Sequence, residues 1–184
     1  MPPTAVRPLA LVAILGGAVF VVLGVVQLAG PGQEDPFSRT SDYLIEALRA
    51  LALLLTLAGF VALHLLQAGG YGGPRGWTGF RAAIAGQGAI LASAVASLAA
   101  GAPALGVISV LGTFVLLVAL ALLAVATHNA ALLPGWSAYL VAALAVFVFG
   151  EVGTVAVGLV WIVMGCVLFS KGHAMTRRSP RRVR

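Results

Sequence analysis

One stretch of this chain holds most of the side chains able to do chemistry. Asp42, Glu46, Arg49, Thr56, His64 and Gln67 are set in a run made otherwise mostly of Leu, Ala, Ile, Val and Gly. At about 100° per residue, these six fall within a sector of roughly 80° on a helical wheel, shared with Leu53 and Phe60. Asp42 and Glu46 stand one turn apart, and Arg49 lies three residues beyond Glu46, close enough to pair with it. Such a stripe can line a path for a cation, a proton or a polar solute. Glu151 would join it as a further wall of an acidic vestibule. The plainer reading is an amphipathic helix start at a membrane surface, with its carboxylates in water.

Histidine supplies the second constellation. His64 and His128 each fall at the end of an apolar run, and His173 follows the last one. Two neutral imidazoles from different helices can ligate a haem iron, and three can hold zinc or copper. A haem b between His64 and His128 is therefore the one cofactor the residues suggest; otherwise none is expected. Against it, no HxxxH or ExxH pair occurs, and a histidine at a helix C-terminus interacts favourably with the dipole without any ligand. His64, on the stripe, could instead relay protons.

Catalytic motifs are lacking. Ser93 and Ser97 have no nearby base in sequence. The Gly69–Gly76 segment lacks the GxxxxGK[ST] order of a phosphate loop. The lone Cys166 excludes an intrachain disulfide and a CxxC site.

These residues sit in a chain that is 61% hydrophobic and only 9% charged, with 184 residues. Soluble domains carry about 25% charged residues. The long uncharged runs predict an all-α, polytopic membrane protein rather than a soluble domain. The net charge of +6 does not read as nucleic-acid binding, because much of it lies in the tail Lys171–Arg184 beside an apolar helix. Basic residues there set topology or meet anionic lipid.

Six transmembrane helices are expected. The first covers Pro8–Gly30; it is too long for a signal-peptide core and no A-x-A site follows. The second is Asp42–Gln67, capped by Ser41 or Asp42. Ala68–Thr78 reads as a glycine-rich loop, with Tyr71 and Trp77 at headgroup level. The third helix, Phe80–Ala100, carries Ala85, Ala89, Ser93, Ser97 and Gly101 at intervals of four, a small-residue ridge that suits the middle of a bundle. Gln87, on another face, is expected to bond a neighbouring helix. Ala104–Thr127 is the fourth helix. The tract 130–170 would span about 60 Å as one helix, so it divides at Gly150–Gly153 into Ala130–Phe149 and Val152–Ser170. Residues 1–170 then form one transmembrane domain and 171–184 a basic cytoplasmic tail.

Charge orients this layout. With both termini inside, inner segments hold Arg7, Arg75, Arg81, Lys171, Arg177, Arg178, Arg181, Arg182 and Arg184 and no acid. Glu34, Asp35, Asp42, Glu46 and Glu151 lie outside with Arg39 and Arg49. Basic residues favour the cytoplasm, so both ends are expected there, in a plasma (inner) membrane.

A resemblance adds to this. An acidic first outer loop, a Gly-rich inner loop with Arg75, the phrase Leu133-Pro134-Gly135-Trp136, and Trp161, Gly165 and Lys171 before a basic tail resemble small six-helix bacterial integral membrane proteins of unassigned function. The resemblance implies a fold style and no catalytic residue. Preference for Arg over Lys with abundant Ala and Gly is associated with GC-rich bacterial coding.

The functional expectation is a structural or interaction membrane protein, pairing with itself or a membrane partner. The alternatives are a small transporter or channel using the helix-two stripe, and a haem-binding redox protein. Helix six presents Glu151, Thr154, Gly158, Trp161 and Gly165 on one side. It is expected to lie beside helix two, with Arg49 reaching Glu46 or Glu151.

Overall fold

The structure, a computed structural model, describes residues 5–30, 35–67, 74–147 and 151–178. Those residues are all-helical: α1 (Val6–Ala29), α2 (Thr40–Gln67), α3 (Pro74–Ala100), α4 (Gly106–Ala130), α5 (Trp136–Phe147) and α6 (Glu151–Arg178). Five of the six, all but α5, are long and apolar enough to cross a membrane. The described part of α5 is 12 residues, a rise of about 18 Å.

Each helix packs on the next in sequence, and α6 closes the ring against α1. Neighbouring positions fix the directions. Gly24 faces Val155, Gly17 faces Gly158, and Gly172 faces Val6 and Arg7, so α1 and α6 are antiparallel. Gly16 against Thr56 with Ala13 against Gly59, Leu53 against Gln87 with His64 against Phe80, and Gly86 against Gly112 with Gly79 against Leu123 make α1–α2, α2–α3 and α3–α4 antiparallel as well. The start of α1 therefore shares one end of the bundle with the start of α3 and the C-termini of α2, α4 and α6. The core lies inside the ring, where Phe60, Leu63, Leu120, Leu123, Val141, Leu144, Trp161, Met164 and Leu168 meet.

Small residues hold this ring together because lipid supplies no hydrophobic drive between helices, so backbones must approach closely. A Cβ on Gly158 would stand 2.6 Å from the Gly17 carbonyl oxygen, and a Cβ on Gly86 would stand 2.7 Å from that of Gly112. Here one expectation is corrected. Gly158 and Gly165 belong to the side of helix six expected to meet helix two, but they pack on α1, against Gly17 and Val21 and against Ala10 and Ile14. The reason is that α1 has glycines of its own at the matching heights, so the closest backbone approach belongs to that pair. Helices α2 and α6 still touch, through side chains: the Phe60 and Trp161 rings meet edge-on at 4.9 Å.

The small ridge of α3 is also placed differently. Ala85 is exposed, whereas Ser93 and Ser97 are buried. A four-residue repeat turns by about 40° per step, so a long ridge winds off one face. The place in the middle goes to α2, over half of whose apolar window is buried against a third for α3.

Three helix bounds differ from expectation by more than three residues. Helix α3 begins at Pro74, six residues early, with proline at the first helical position where its missing N–H is harmless. The last helix continues past Ser170 to Arg178. Helix five begins at Trp136 and not at Ala130. There α4 runs on to Ala130, Ala131 turns left-handed at φ 50°, and the Pro134 carbonyl accepts the Ser137 N–H at 2.9 Å and Oγ at 2.6 Å. The proposed turn at Gly150 and the loop residues Glu34 and Tyr71 lie outside the described residues.

A left-handed alanine costs about 1–2 kcal/mol that glycine does not incur. Ala131 is exposed, so no packing opposes a change. Ala131→Gly is expected to raise the unfolding free energy in detergent by up to about 1 kcal/mol, after allowance for the freer unfolded chain, and so to raise the thermal midpoint.

Candidate functional site

The stripe on α2 faces protein over most of its length, and its members are used one by one. Asp42 is the third residue of the helix and only 1% exposed. Its Oδ2 accepts the N–H groups of Arg39 at 3.0 Å and Ser38 at 3.2 Å. The carboxylate thus reaches back over the open helix start, the reciprocal half of a capping box, where negative charge is also favoured by the dipole. The segment it holds is tied across the bundle end: the Phe37 N–H donates to the Gly101 carbonyl at 2.8 Å. Gly101 adopts φ 64° to make the α3–α4 turn, and the Phe37 ring stands edge-on to Tyr43.

One turn further, Glu46 is 3% exposed and accepts Arg49 Nη1 at 2.9 Å. The Arg49 side chain is 36% exposed, so the pair is buried at its anion and open at its cation. Arg49 meets the expectation through Glu46; the Glu151 side chain is outside what is described, although α6 starts at the same end of the bundle.

At mid-height a polar node joins α2 to α3. Gln87 Nε2 donates to the Leu53 carbonyl and to Thr56 Oγ1, each at 2.7 Å. Thr56 in turn donates to the Ala52 carbonyl at 2.8 Å. All three helix-forming groups are buried, where an unbonded amide would be unfavourable. Gln87 is the interhelical bond expected of it. Nearer the other end, Gln67 Nε2 donates to Thr127 Oγ1 at 3.2 Å, linking α2 to α4. Gln87→Leu is expected to lower stability by about 1 kcal/mol, typical of interhelical bonds in membranes. The check is a double-mutant cycle with Thr56→Val, in which the two losses should sum to more than the loss in the double variant.

The serines predicted to be inert chemically have a structural job. Ser93 Oγ donates to the Ala104 carbonyl at 2.8 Å, and Ser97 Oγ accepts the Ala104 N–H at 2.9 Å. They satisfy the backbone of the tight α3–α4 turn.

The histidines separate in character. His64 stacks on Phe80, with centroids 4.1 Å apart and planes 10° apart, and lies 4.9 Å from Trp77. The guanidinium of Arg81 sits 4.5 Å over the Trp77 ring. His128 is exposed at the end of α4, and His173 is near the end of α6. Among the described residues, no three His, Cys, Asp or Glu side chains gather as a metal site.

The His64–Trp77–Phe80–Arg81 cluster was not foreseen. Its signal was present: Trp77, Phe80 and Arg81 are spaced i, i+3, i+4, which puts them on one helix face. Reading residues through Thr78 as loop hid that spacing.

Comparison with protein-family models, with curated proteins and with solved structures finds no match.

Proposed function

We propose that this chain is a multi-pass protein of a bacterial inner membrane, with six spans and both termini in the cytoplasm, acting through lateral contacts and not through catalysis or transport. The observation that carries the reading is the fate of the α2 stripe. Asp42 caps a helix, Glu46 holds Arg49, Thr56 takes Gln87 and Gln67 takes Thr127. Polar groups that assemble a bundle are spent on it, and this supports an accessory or scaffold role with a second copy or a membrane partner. Small six-helix bacterial proteins of this style offer a parallel. The alternating helix directions, and the gathering at one end of six of the eight Lys and Arg among the described residues, support the orientation. The basic residues from Lys171 onward suit anionic lipid.

Thiol accessibility tests the reading. In a Cys166→Ala background, Thr56→Cys and Gln67→Cys are treated with a membrane-impermeant maleimide in intact membranes. Protection at Thr56 is expected; labelling there would establish a wet path and favour a transporter or channel. Reporter fusions after Arg75 and Arg184 should both give inside signals. Haem-replete expression followed by visible absorbance tests the haem reading, since a Soret band lost in His64→Ala would install it over an accessory role.

A further inference from the structure

The cluster at the junction of α2 and α3 holds a cation in an unusual setting. Arg81 lies four residues after Trp77 on α3, so its Cα is about 6 Å deeper in the span. Helical side chains lean back toward the N-terminus. Arg81 follows that lean, returning its guanidinium over the Trp77 ring. The Trp77 ring is itself braced by the stacked His64 and Phe80, and it is 44% exposed. Arg81 and Arg75 are exposed. The guanidinium is therefore brought up from the apolar zone and fixed by an aromatic platform at its boundary.

Among the described residues, no acidic side chain stands at this end of the bundle. The described Asp and Glu are Asp35, Asp42, Glu46 and Glu151, and these fall at the opposite end of the bundle, where α2 and α6 begin. The same end as Arg81 carries Arg7, Lys171, Arg177 and Arg178 as well. A planar, exposed guanidinium at this depth matches a phosphate in charge and fork geometry. A phosphate stands at this height when it belongs to a lipid headgroup.

We propose that Arg81, held over Trp77 and assisted by Arg75, binds the headgroup phosphate of an anionic lipid at the α2–α3 junction. The site is distinct from the tail, and it rests on the membrane reading given above. A chain recovered in the soluble fraction would defeat that reading; a membrane-extracted chain indifferent to anionic lipid defeats only the site.

The full-length protein in maltoside micelles is titrated with phosphatidylglycerol, with phosphatidylcholine, and with inorganic phosphate at matched ionic strength, following the thermal midpoint. Phosphatidylglycerol is expected to raise the midpoint of the native chain. Arg81→Gln should lose that rise, while Arg181→Gln/Arg182→Gln in the tail keeps it. Arg81→Lys guards against a folding defect: it keeps the charge and should show a smaller rise. An equal rise with phosphatidylcholine overturns the proposal, as does a rise unaffected by Arg81→Gln. Loss in the tail variant as well would mean diffuse attraction, and a full rise with inorganic phosphate would mean a free-anion site; either result overturns the lipid assignment.

Discussion

Gly158→Ala will loosen the α1–α6 seam by about 1–3 kcal/mol, the usual range for overpacking a close contact. The added Cβ would stand 2.6 Å from the Gly17 carbonyl oxygen and 2.7 Å from the Val21 amide nitrogen. Both are backbone atoms, so no side chain can swing aside; one helix must move. Gly158→Leu should go further and separate the two helices, removing the contact that closes the ring. The control is Gly88→Ala on α3, where a Cβ would meet nothing within 4 Å. Unfolding midpoints in one detergent read the comparison. If Gly158→Ala unfolds no earlier than Gly88→Ala, the α1–α6 packing described above is wrong.

Arg49→Leu is expected to cost about 2 kcal/mol. Removing one partner of a buried pair typically costs 3–5 kcal/mol, and water reaching the open side of Arg49 reduces this. What remains is the Glu46 carboxylate, 3% exposed and stripped of its donor at 2.9 Å. The direction depends on this asymmetry. Because Glu46 is the enclosed member, Glu46→Leu should be milder, leaving a cation that can reach water along its own stem. The double variant Glu46→Leu/Arg49→Leu should recover most of the loss, since two apolar groups replace a desolvated pair. An Arg49→Leu protein as stable as the parent would show that Glu46 is wet, and would reopen α2 as one wall of an aqueous path.

Several parts of this site were legible before any coordinates. The sector containing Asp42, Glu46, Arg49, Thr56, His64 and Gln67 follows from helical periodicity, a local property, and it does turn mainly inward. Gln87 was legible for the same kind of reason: an amide in a long apolar helix must find a bond, and Leu53 and Thr56 provide it. Partner choice was not legible. Glycines at 158 and 165 announce a close neighbour without naming it, because any helix with small residues at matching heights satisfies them. Helix α1 did so through Gly17, and α2 was left with the Phe60–Trp161 edge contact. The breaks at Ala131 and Pro74 also escaped. The left-handed turn at Ala131 carries no glycine to announce it, and the run before Phe80 is rich in glycine although its second half is helical.

By itself, the sequence determined an all-helical chain with spans long enough for a membrane, the inward stripe of α2 and the separation of acids from bases along the chain. Length, hydrophobicity and the 3.6-residue period fix these, since each depends only on near neighbours and on the surrounding solvent. The tertiary structure decided that α1 and α6 close the ring, that Glu46 and not Arg49 is the enclosed partner, that α5 starts only at Trp136, and that His64, Trp77, Phe80 and Arg81 form one cluster. Each depends on which surfaces, distant in sequence, win the competition for close packing, and that is decided by the fit of whole helix faces and not by near neighbours.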